Sequence, residues 1–279
     1  MAPRRPSAWR RFWRHTPAAG SACVLAVLML AALLAPVLTP HDPEEISLEI
    51  MAPASARHWL GTDEVGRDLL SRLIYAARIS LTVGMASSVL TIFLAVTIGA
   101  LAGYFGGRVD ALISSVINIK LAIPVLPLAL VLASFVETNL TFVVLIIGLL
   151  SWGGVARVIR AEFLSLKERE FVQAAFALGA GTARIIVRHV LPNTAAPIIV
   201  ATTLQVAGAI LLESALSYLG FGIQPPQASW GNMLQNAQRF LRTAPMLAVY
   251  PGTLVSLTVI SINFVGDGLR DALDPRLRL

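Results

Sequence analysis

Apolar and polar positions along the chain fall into long alternating blocks, not the short periods of a soluble domain. Five runs free of charged residues stand out: Ala18–Leu38, Ile79–Tyr104, Thr138–Ala156, Val190–Leu212 and Ala244–Gly266. Each holds about the 20 residues that a bilayer core requires. A sixth run, Ala111–Val136, is equally apolar apart from Lys120. The expected fold is an all-α membrane protein with six transmembrane helices, an arrangement that puts both termini on the same side.

Between the fourth and fifth runs the pattern inverts, and Glu162–Pro197 is dense in charge. From Lys167 onward, Phe171, Ala174, Ala175 and Leu178 recur at spacings of three and four, which is one apolar face of a helix. Gly179, tolerant of positive φ, is predicted to end that helix. Thr182 is placed to cap a second one, with Ile185, Ile186 and Val190 on its apolar face and Arg184 and Arg188 on its polar face. Pro192 is expected to stop it. Small residues at the bend of such a helical hairpin let it approach another protein's backbone closely. The plainer reading is a basic loop that links two spans and touches lipid phosphates.

The segment Thr39–Arg78, between the first two runs, begins acidic, with Asp42, Glu44, Glu45 and Glu49. Asp63 is predicted to cap a helix whose stripe of Leu69, Leu70, Leu73 and Ile74 lies flat on the outer surface. Asp63, Glu64 and Asp68 stand beside Arg67 without the spacing of an EF-hand loop, so they read as caps and ion pairs and no metal site is expected. In the second span Gly84, Ser88, Ala95, Gly99 and Gly103 form a small-residue stripe, suited to close packing within the protein or across a dimer.

The third span breaks the membrane rules. Lys120 at a helix centre costs roughly 2.5–3.5 kcal/mol on insertion scales, so it should face protein or water. Pro124 and Pro127 each remove a backbone donor and bend the helix. An interrupted polar span of this kind can line a substrate path; alternatively Lys120 snorkels to the headgroups. Near the end of the fifth span, Glu213 is expected at the outer rim, paired with an ion or with water. The following Gly, Pro-Pro and Trp cluster, Gly220–Gly231, reads as an ordered turn with a re-entrant or interfacial piece.

Composition agrees: 56% of the 279 residues are hydrophobic and 14% charged, with a mean hydropathy of +0.73. A net charge of +6 could suggest nucleic acid, but the placement of the charges argues otherwise. Fifteen of the lysines and arginines fall on the side of the termini and the hairpin (Arg4, Arg5, Arg10, Arg11, Arg14, Arg108, the hairpin cluster and the C-terminal arginines), against six on the other. That excess assigns the richer side to the cytoplasm, and no nucleic-acid partner is expected. The first run is longer than a signal-peptide core, so it reads as an uncleaved anchor with Trp9, Phe12 and Trp13 at the headgroups.

Several chemistries lack their residues. The chain has no G-x-x-x-x-G-K-[ST] phosphate loop, and no G-x-S-x-G elbow. Its four histidines, His15, His41, His58 and His189, lack a cysteine partner or an H-E-x-x-H pattern. The expectation is a protein that is not an enzyme.

Specific strings carry a resemblance. Gln173-Ala174-Ala175, then Gly179, then His189-Val190-Leu191-Pro192 resemble the "EAA" loop in the membrane subunits of binding-protein-dependent ATP-binding-cassette (ABC) importers, with Gln173 where Glu is usual. His58–Leu73, containing Gly61, Thr62, Asp63, Gly66, Arg67 and Asp68, resembles the segment before the second span of dipeptide, oligopeptide and nickel importer permeases. Leu211–Leu234 and Gly266–Pro275 are similar to further strings of that family. Its members usually carry Arg and Asp where this chain has Ser115 and Asn118; Asn118 therefore joins Lys120, Pro124 and Pro127 as candidate path residues.

The resemblance implies a type I importer permease in a bacterial or archaeal cytoplasmic membrane, carrying peptides or a related small solute such as a nickel chelate. The implied partners are a second homologous permease subunit forming a heterodimer, two cytoplasmic ATPase subunits and an extracytoplasmic substrate-binding protein, besides membrane lipid. ATP and Mg would be bound by the ATPase subunits, with no cofactor on this chain. The coupling loop would be 157–193, with Gln173, Ala174, Ala175, Gly179, Arg184, Arg188, Leu191 and Pro192 docking on an ATPase. The implied division is a cytoplasmic tail (1–17), a first transmembrane helix (18–38), an external segment with an interfacial helix (39–78), a five-helix permease core (79–266) and a cytoplasmic C-terminal tail (267–279). A secondary transporter or channel subunit driven by an ion gradient is the rival reading.

Overall fold

The computed structural model describes residues 8–136 and 139–273, and among them the chain is helical with no strand. Arg4, Arg5, Thr138, Asp274, Pro275 and the last arginines lie outside the described residues. In chain order come α1 (Ala8–Arg14), α2 (Thr16–Leu33), α3 (Ala35–Leu38), α4 (Leu69–Phe105), α5 (Gly107–Ala122), α6 (Val125–Ser134), α7 (Leu140–Leu150), α8 (Trp152–Lys167), α9 (Glu170–Ala177), α10 (Thr182–Ile185), α11 (Ala195–Tyr218), α12 (Trp230–Ala237) and α13 (Met246–Leu273).

Four helices are by themselves long and apolar enough to cross a membrane: Thr16–Leu33, Leu69–Phe105, Thr182–Tyr218 and Met246–Leu273. Two further pairs qualify only together, α5 with α6 bent by 80° and α7 with α8 bent by 43°, so the number of spans is six if each bent pair counts once. The first bend falls at Ile123 and Pro124. A proline forces the residue before it out of the helical region, and Ile123 is extended (φ −90, ψ 121).

The longest element is α4, at 37 residues. No separate surface helix precedes it. Asp68, not Asp63, is its N-cap, accepting from Ser71 N at 2.8 Å, and the predicted stripe Leu69, Leu70, Leu73 and Ile74 is simply its first two turns. Because the cap sits directly against Leu69, nothing ends the helix between that stripe and the next span.

The small-residue stripe of α4 serves internal packing. A Cβ on Gly99 would lie 2.6 Å from the Ala156 carbonyl oxygen and one on Gly103 2.6 Å from that of Arg160, so α8 presses backbone to backbone on this face. Gly84 makes room for the Ile210 side chain of α11. At the Phe105 end of α4 a cluster of Ile159, Phe163, Val172, Ile185 and Val190 seats the charged hairpin, with Val96, Ala100 and Tyr104 against it. At the Leu69 end, Leu69, Leu73, Ala76, Ala77 and Trp230 join α12 and α13 in another cluster.

The two described ends of the chain meet. Phe12 and Ala18 pack on Ala272, and Ala18 leaves no room for a Cβ on Gly268, at 2.4 Å. Phe12 is thus buried in the protein while its neighbour Trp9 is exposed.

Candidate functional site

The hairpin is compact on one face and bare on the other. Helix α9 ends where expected: Gly179 has φ +81, and the reversal is closed by Ala180 N to Ala175 O at 3.0 Å and Gly179 N to Phe176 O at 2.9 Å. On the inner face Val172, Ile185 and Val190 are buried against α8. On the outer face Phe171, Ala174, Phe176 and Leu178 are exposed, Leu178 at 88%, and in the second limb Arg184 and Arg188 are exposed as well. The predicted apolar face of α9 is therefore the one that points away from the protein, with Val172 the buried anchor.

Three details of the hairpin differ from expectation. Thr182 does not cap; Gly181 holds the N-cap position, without a side-chain hydrogen bond. Lys167 belongs to the end of α8, and Gln173 Nε2 donates to its carbonyl at 2.9 Å, a bond that a carboxylate at 173 has no proton to make. Pro192 does not stop the second helix. Residues Ile186–Val190 widen into a π turn and Leu191–Thr194 tighten into a 3₁₀ turn, so Thr182–Tyr218 runs on as one helix. The wide turn shifts the ladder around the proline's missing N–H, and Asn193 Nδ2 donates to the His189 carbonyl at 2.6 Å.

Of the candidate path residues, Asn118 and Lys120 lie where α5 meets α8, while Pro124 and Pro127 stand at and beyond the bend leading into α6. Arg157 Nη2 donates to Asn118 Oδ1 at 3.0 Å, and the alkyl chain of Lys120 covers Gly153, 3.1 Å from where a Cβ would stand. Pro124 sits at the 80° bend as the N-cap of α6, and Pro127 lies in that helix's first turn. Below them Asp110 and Arg160 form a two-point pair, with Arg160 Nη2 to Asp110 Oδ2 at 2.6 Å and Arg160 Nε to Asp110 Oδ1. Sequence reasoning missed this pair, because nothing local links residues fifty apart on two helices.

The motif from Gly61 to Asp68 forms a clasp. Gly61 and Gly66 both have φ +84, and a Cβ on either would strike the carbonyl of Ala52 or Ser47, at 2.4 and 2.1 Å. Asp63 accepts from Val65 N at 3.0 Å and Arg67 N at 2.9 Å, and its Oδ2 stands 3.3 Å from Arg67 Nε and 3.2 Å from Arg72 Nε. Thr62 Oγ1 accepts from Ala52 N at 2.8 Å and donates to the Glu49 carbonyl. Together these residues tie the extended stretch after α3 to the start of α4. Beside the clasp a cleft of about 300 Å³ is lined by Pro43, Glu44, Tyr75, Arg78, Pro226 and Gln227, among others.

Glu213 is not at a rim. It is fully buried, accepting from Ser217 Oγ at 2.7 Å and Ser80 Oγ at 3.2 Å. The Ser80 hydroxyl also receives the Trp230 backbone N–H at 3.2 Å, so the carboxylate joins α4, α11 and α12. The broken stretch after α11 is an ordered piece: Ser229 and Asn232 cap α12 reciprocally, and Trp230 is wholly enclosed, its Nε1 donating to Leu73 O at 3.2 Å.

Comparison with known proteins places this geometry. A family profile described as "Binding-protein-dependent transport system inner membrane component" matches residues 95–279. A second, "N-terminal TM domain of oligopeptide transport permease C", matches residues 7–55. A putative peptide permease protein of Brucella suis is 43% identical over 272 residues, covering 96% of this chain and 90% of that protein. The dipeptide transport system permease protein DppC of Alkalihalophilus pseudofirmus is 40% identical, covering 91% of this chain and 84% of its own. The oligopeptide transport system permease protein OppC of Haemophilus influenzae is 38% identical, covering 96% and 88%. Among solved structures, a chain of the methionine ABC transporter MetNI in an inward-facing conformation superposes with a TM-score of 0.62 at 16% identity, covering 74% of this chain and 98% of that one; this likeness speaks to the fold.

Proposed function

The chain belongs to the family of binding-protein-dependent transport system inner membrane components, and from that premise we propose that it is one of two permease subunits in a bacterial ABC importer for peptides. In this reading each bent helix pair is one span, giving six, and both termini and the hairpin face the cytoplasm. The division into tail, first helix, external segment, five-helix core and C-terminal tail follows from that topology. Two features support it: the clasp and the hairpin lie at opposite ends of α4, whose 37 residues extend about 55 Å, and the described chain ends pack together.

The partners in this proposal are a second homologous permease, two cytoplasmic ATPases that carry the ATP and Mg, and an external binding protein that delivers the solute. The observation that carries the proposal is the hairpin: its inner face is locked to α8 while Phe176 and Leu178 of its first limb and Arg184 and Arg188 of its second stand exposed. A rigid, partly apolar knob with a basic flank suits a groove on another protein, and its fixed seat carries movement of that groove into α8 and α11. Asn118, Lys120, Pro124 and Pro127 are proposed to line part of the solute's route, since the 80° break exposes backbone that a continuous helix would hide.

The test is a Leu178→Glu variant in cells expressing the whole importer. The expected outcome is normal membrane insertion with the ATPases lost from the purified complex and peptide uptake abolished. Full recovery of the ATPases, or solute movement by the reconstituted chain without an ATP-hydrolysing companion, would overturn the proposal.

A further inference from the structure

The cleft beside the clasp is bordered by two opposite charges that leave each other unpaired. Glu44 reaches its edge from the stretch after α3, Arg78 and Thr82 from α4, and Gln227 from the loop before α12, with Ile79 among the apolar residues between them. Tyr75, Arg78 and Thr82 follow one another at three and four residues, so one face of α4 forms that wall. The clasp satisfies its own charges: Arg57 pairs with Glu49, and both Arg67 and Arg72 stand against Asp63. Among the described residues Glu44 and Arg78 make no ion pair, with these groups or with one another.

Both charges are carried on restrained positions. Arg72 Nη1 donates to the Pro43 carbonyl at 3.3 Å, and Glu44 N donates to Asp42 Oδ1 at 2.8 Å, which fixes the backbone from which the Glu44 side chain leaves. The Arg78 guanidinium lies over the Tyr75 ring, 5.6 Å from its centroid. That contact occupies the face of the guanidinium and not its N–H donors.

The plainer reading is a solvated rim, since an arginine beside an aromatic ring at the end of a span commonly meets lipid phosphate. Glu44 argues against it, because a phosphate brought to Arg78 would share the cleft with a charge of its own sign. A ligand with both signs finds an opposite charge for each. Peptides have that form at neutral pH, with an ammonium at one end and a carboxylate at the other. Size agrees as well: a cleft of about 300 Å³ is about 7 Å across, and two extended residues span about 7 Å.

We propose that this cleft is a subsite for the termini of a short peptide, in which Arg78 takes the carboxylate and Glu44 the ammonium, with the Thr82 hydroxyl and the Gln227 amide beside the peptide bond. The inference rests on the importer reading, which supplies the peptide and puts the cleft on the outer face. It gives the permease a recognition step of its own, after the binding protein lets go. Termini are common to all peptides, so the step selects free ends and ignores side chains.

The whole importer, without its binding protein, is placed in nanodiscs of phosphatidylcholine and phosphatidylglycerol. Dissociation constants are measured by ligand-observed NMR for dialanine, its N-acetyl form and its C-terminal amide, with and without ATP and vanadate. The wild type is expected to bind dialanine at least about threefold more tightly than either blocked form, the scale of an exposed ion pair. Arg78→Gln should erase the preference over the amide and keep that over the acetyl form, and Glu44→Gln should do the reverse. Both side chains are exposed, so melting temperatures should match the wild type. Equal affinity of the wild type for all three probes, no binding in either nucleotide state, or both preferences intact in the variants would overturn the proposal. So would variants that weaken docking of the binding protein while the peptide preferences stand, which would make the cleft that protein's foothold. A phosphatidylethanolamine headgroup offers the same two charges, and loss of the preferences when that lipid is added would assign the cleft to lipid instead. Failure of the importer reading itself is seen separately, as ATPases missing from the purified complex.

Discussion

Replacing Gly179 by alanine isolates backbone conformation from packing. A Cβ at this position meets nothing within 4 Å, so no clash confuses the result. The backbone sits at φ +81, where an L side chain costs roughly 1–2 kcal/mol. The hairpin can relieve that strain only by leaving the reversed geometry closed by Ala180 N and Ala175 O. If the ATPase binds only the reversed form, the competent fraction falls and the apparent affinity falls with it. At about 1.4 kcal/mol per tenfold, the expected loss is about 5- to 30-fold.

An internal control lies two residues away. Gly181 also has open space around its would-be Cβ, but its φ of −69 is ordinary for alanine. Gly181→Ala trades a slightly poorer N-cap for a less flexible unfolded chain, effects of similar size and opposite sign. The assay is titration of purified ATPase against the permease in nanodiscs, with membrane insertion checked for both variants. An affinity of Gly179→Ala within twofold of Gly181→Ala would refute the reasoning.

Two further outcomes follow from packing. Gly103→Val drives a branched side chain toward the Arg160 carbonyl, already only 2.6 Å from a bare Cβ, so the α4–α8 contact should open and the detergent melting temperature fall steeply, whereas Gly154→Val, with open space around it, should be nearly silent; equal melting temperatures would contradict the packing. Glu213→Leu strips the acceptor from the buried Ser80 and Ser217 hydroxyls and should destabilise by about 1–3 kcal/mol per stranded group, with Glu213→Gln, which keeps an acceptor oxygen, losing less in the same thermal assay.

What could be read from the chain alone was whatever depends on neighbours in sequence. Runs of apolar residues located the long helices, because a bilayer demands length and little else, and Gly179 marked the hairpin's turn, because positive φ is a one-residue property. Caps were harder. Asp63 and Asp68 are both acids near a helix start, and the choice between them rests on Arg67 and Arg72 drawing Asp63 into the loop. Pro192 looked like a stop because the rule for prolines assumes an α ladder, and the π turn sidesteps that assumption. The pairs Asp110–Arg160 and Ser80–Glu213 were invisible for a simpler reason: each depends on how α4, α5, α8 and α11 dock, and no local period encodes that.

The unbroken run of α4 has a mechanical corollary. A helix about 55 Å long outreaches the roughly 30 Å hydrocarbon layer, so its surplus turns stand in water or headgroups, anchored at one extremity by arginine–aspartate clamps and at the other by glycines flush against α8. With its hydrogen-bonded ladder uninterrupted by any loop, a tilt imposed at one extremity is passed toward the other, as in a drive shaft.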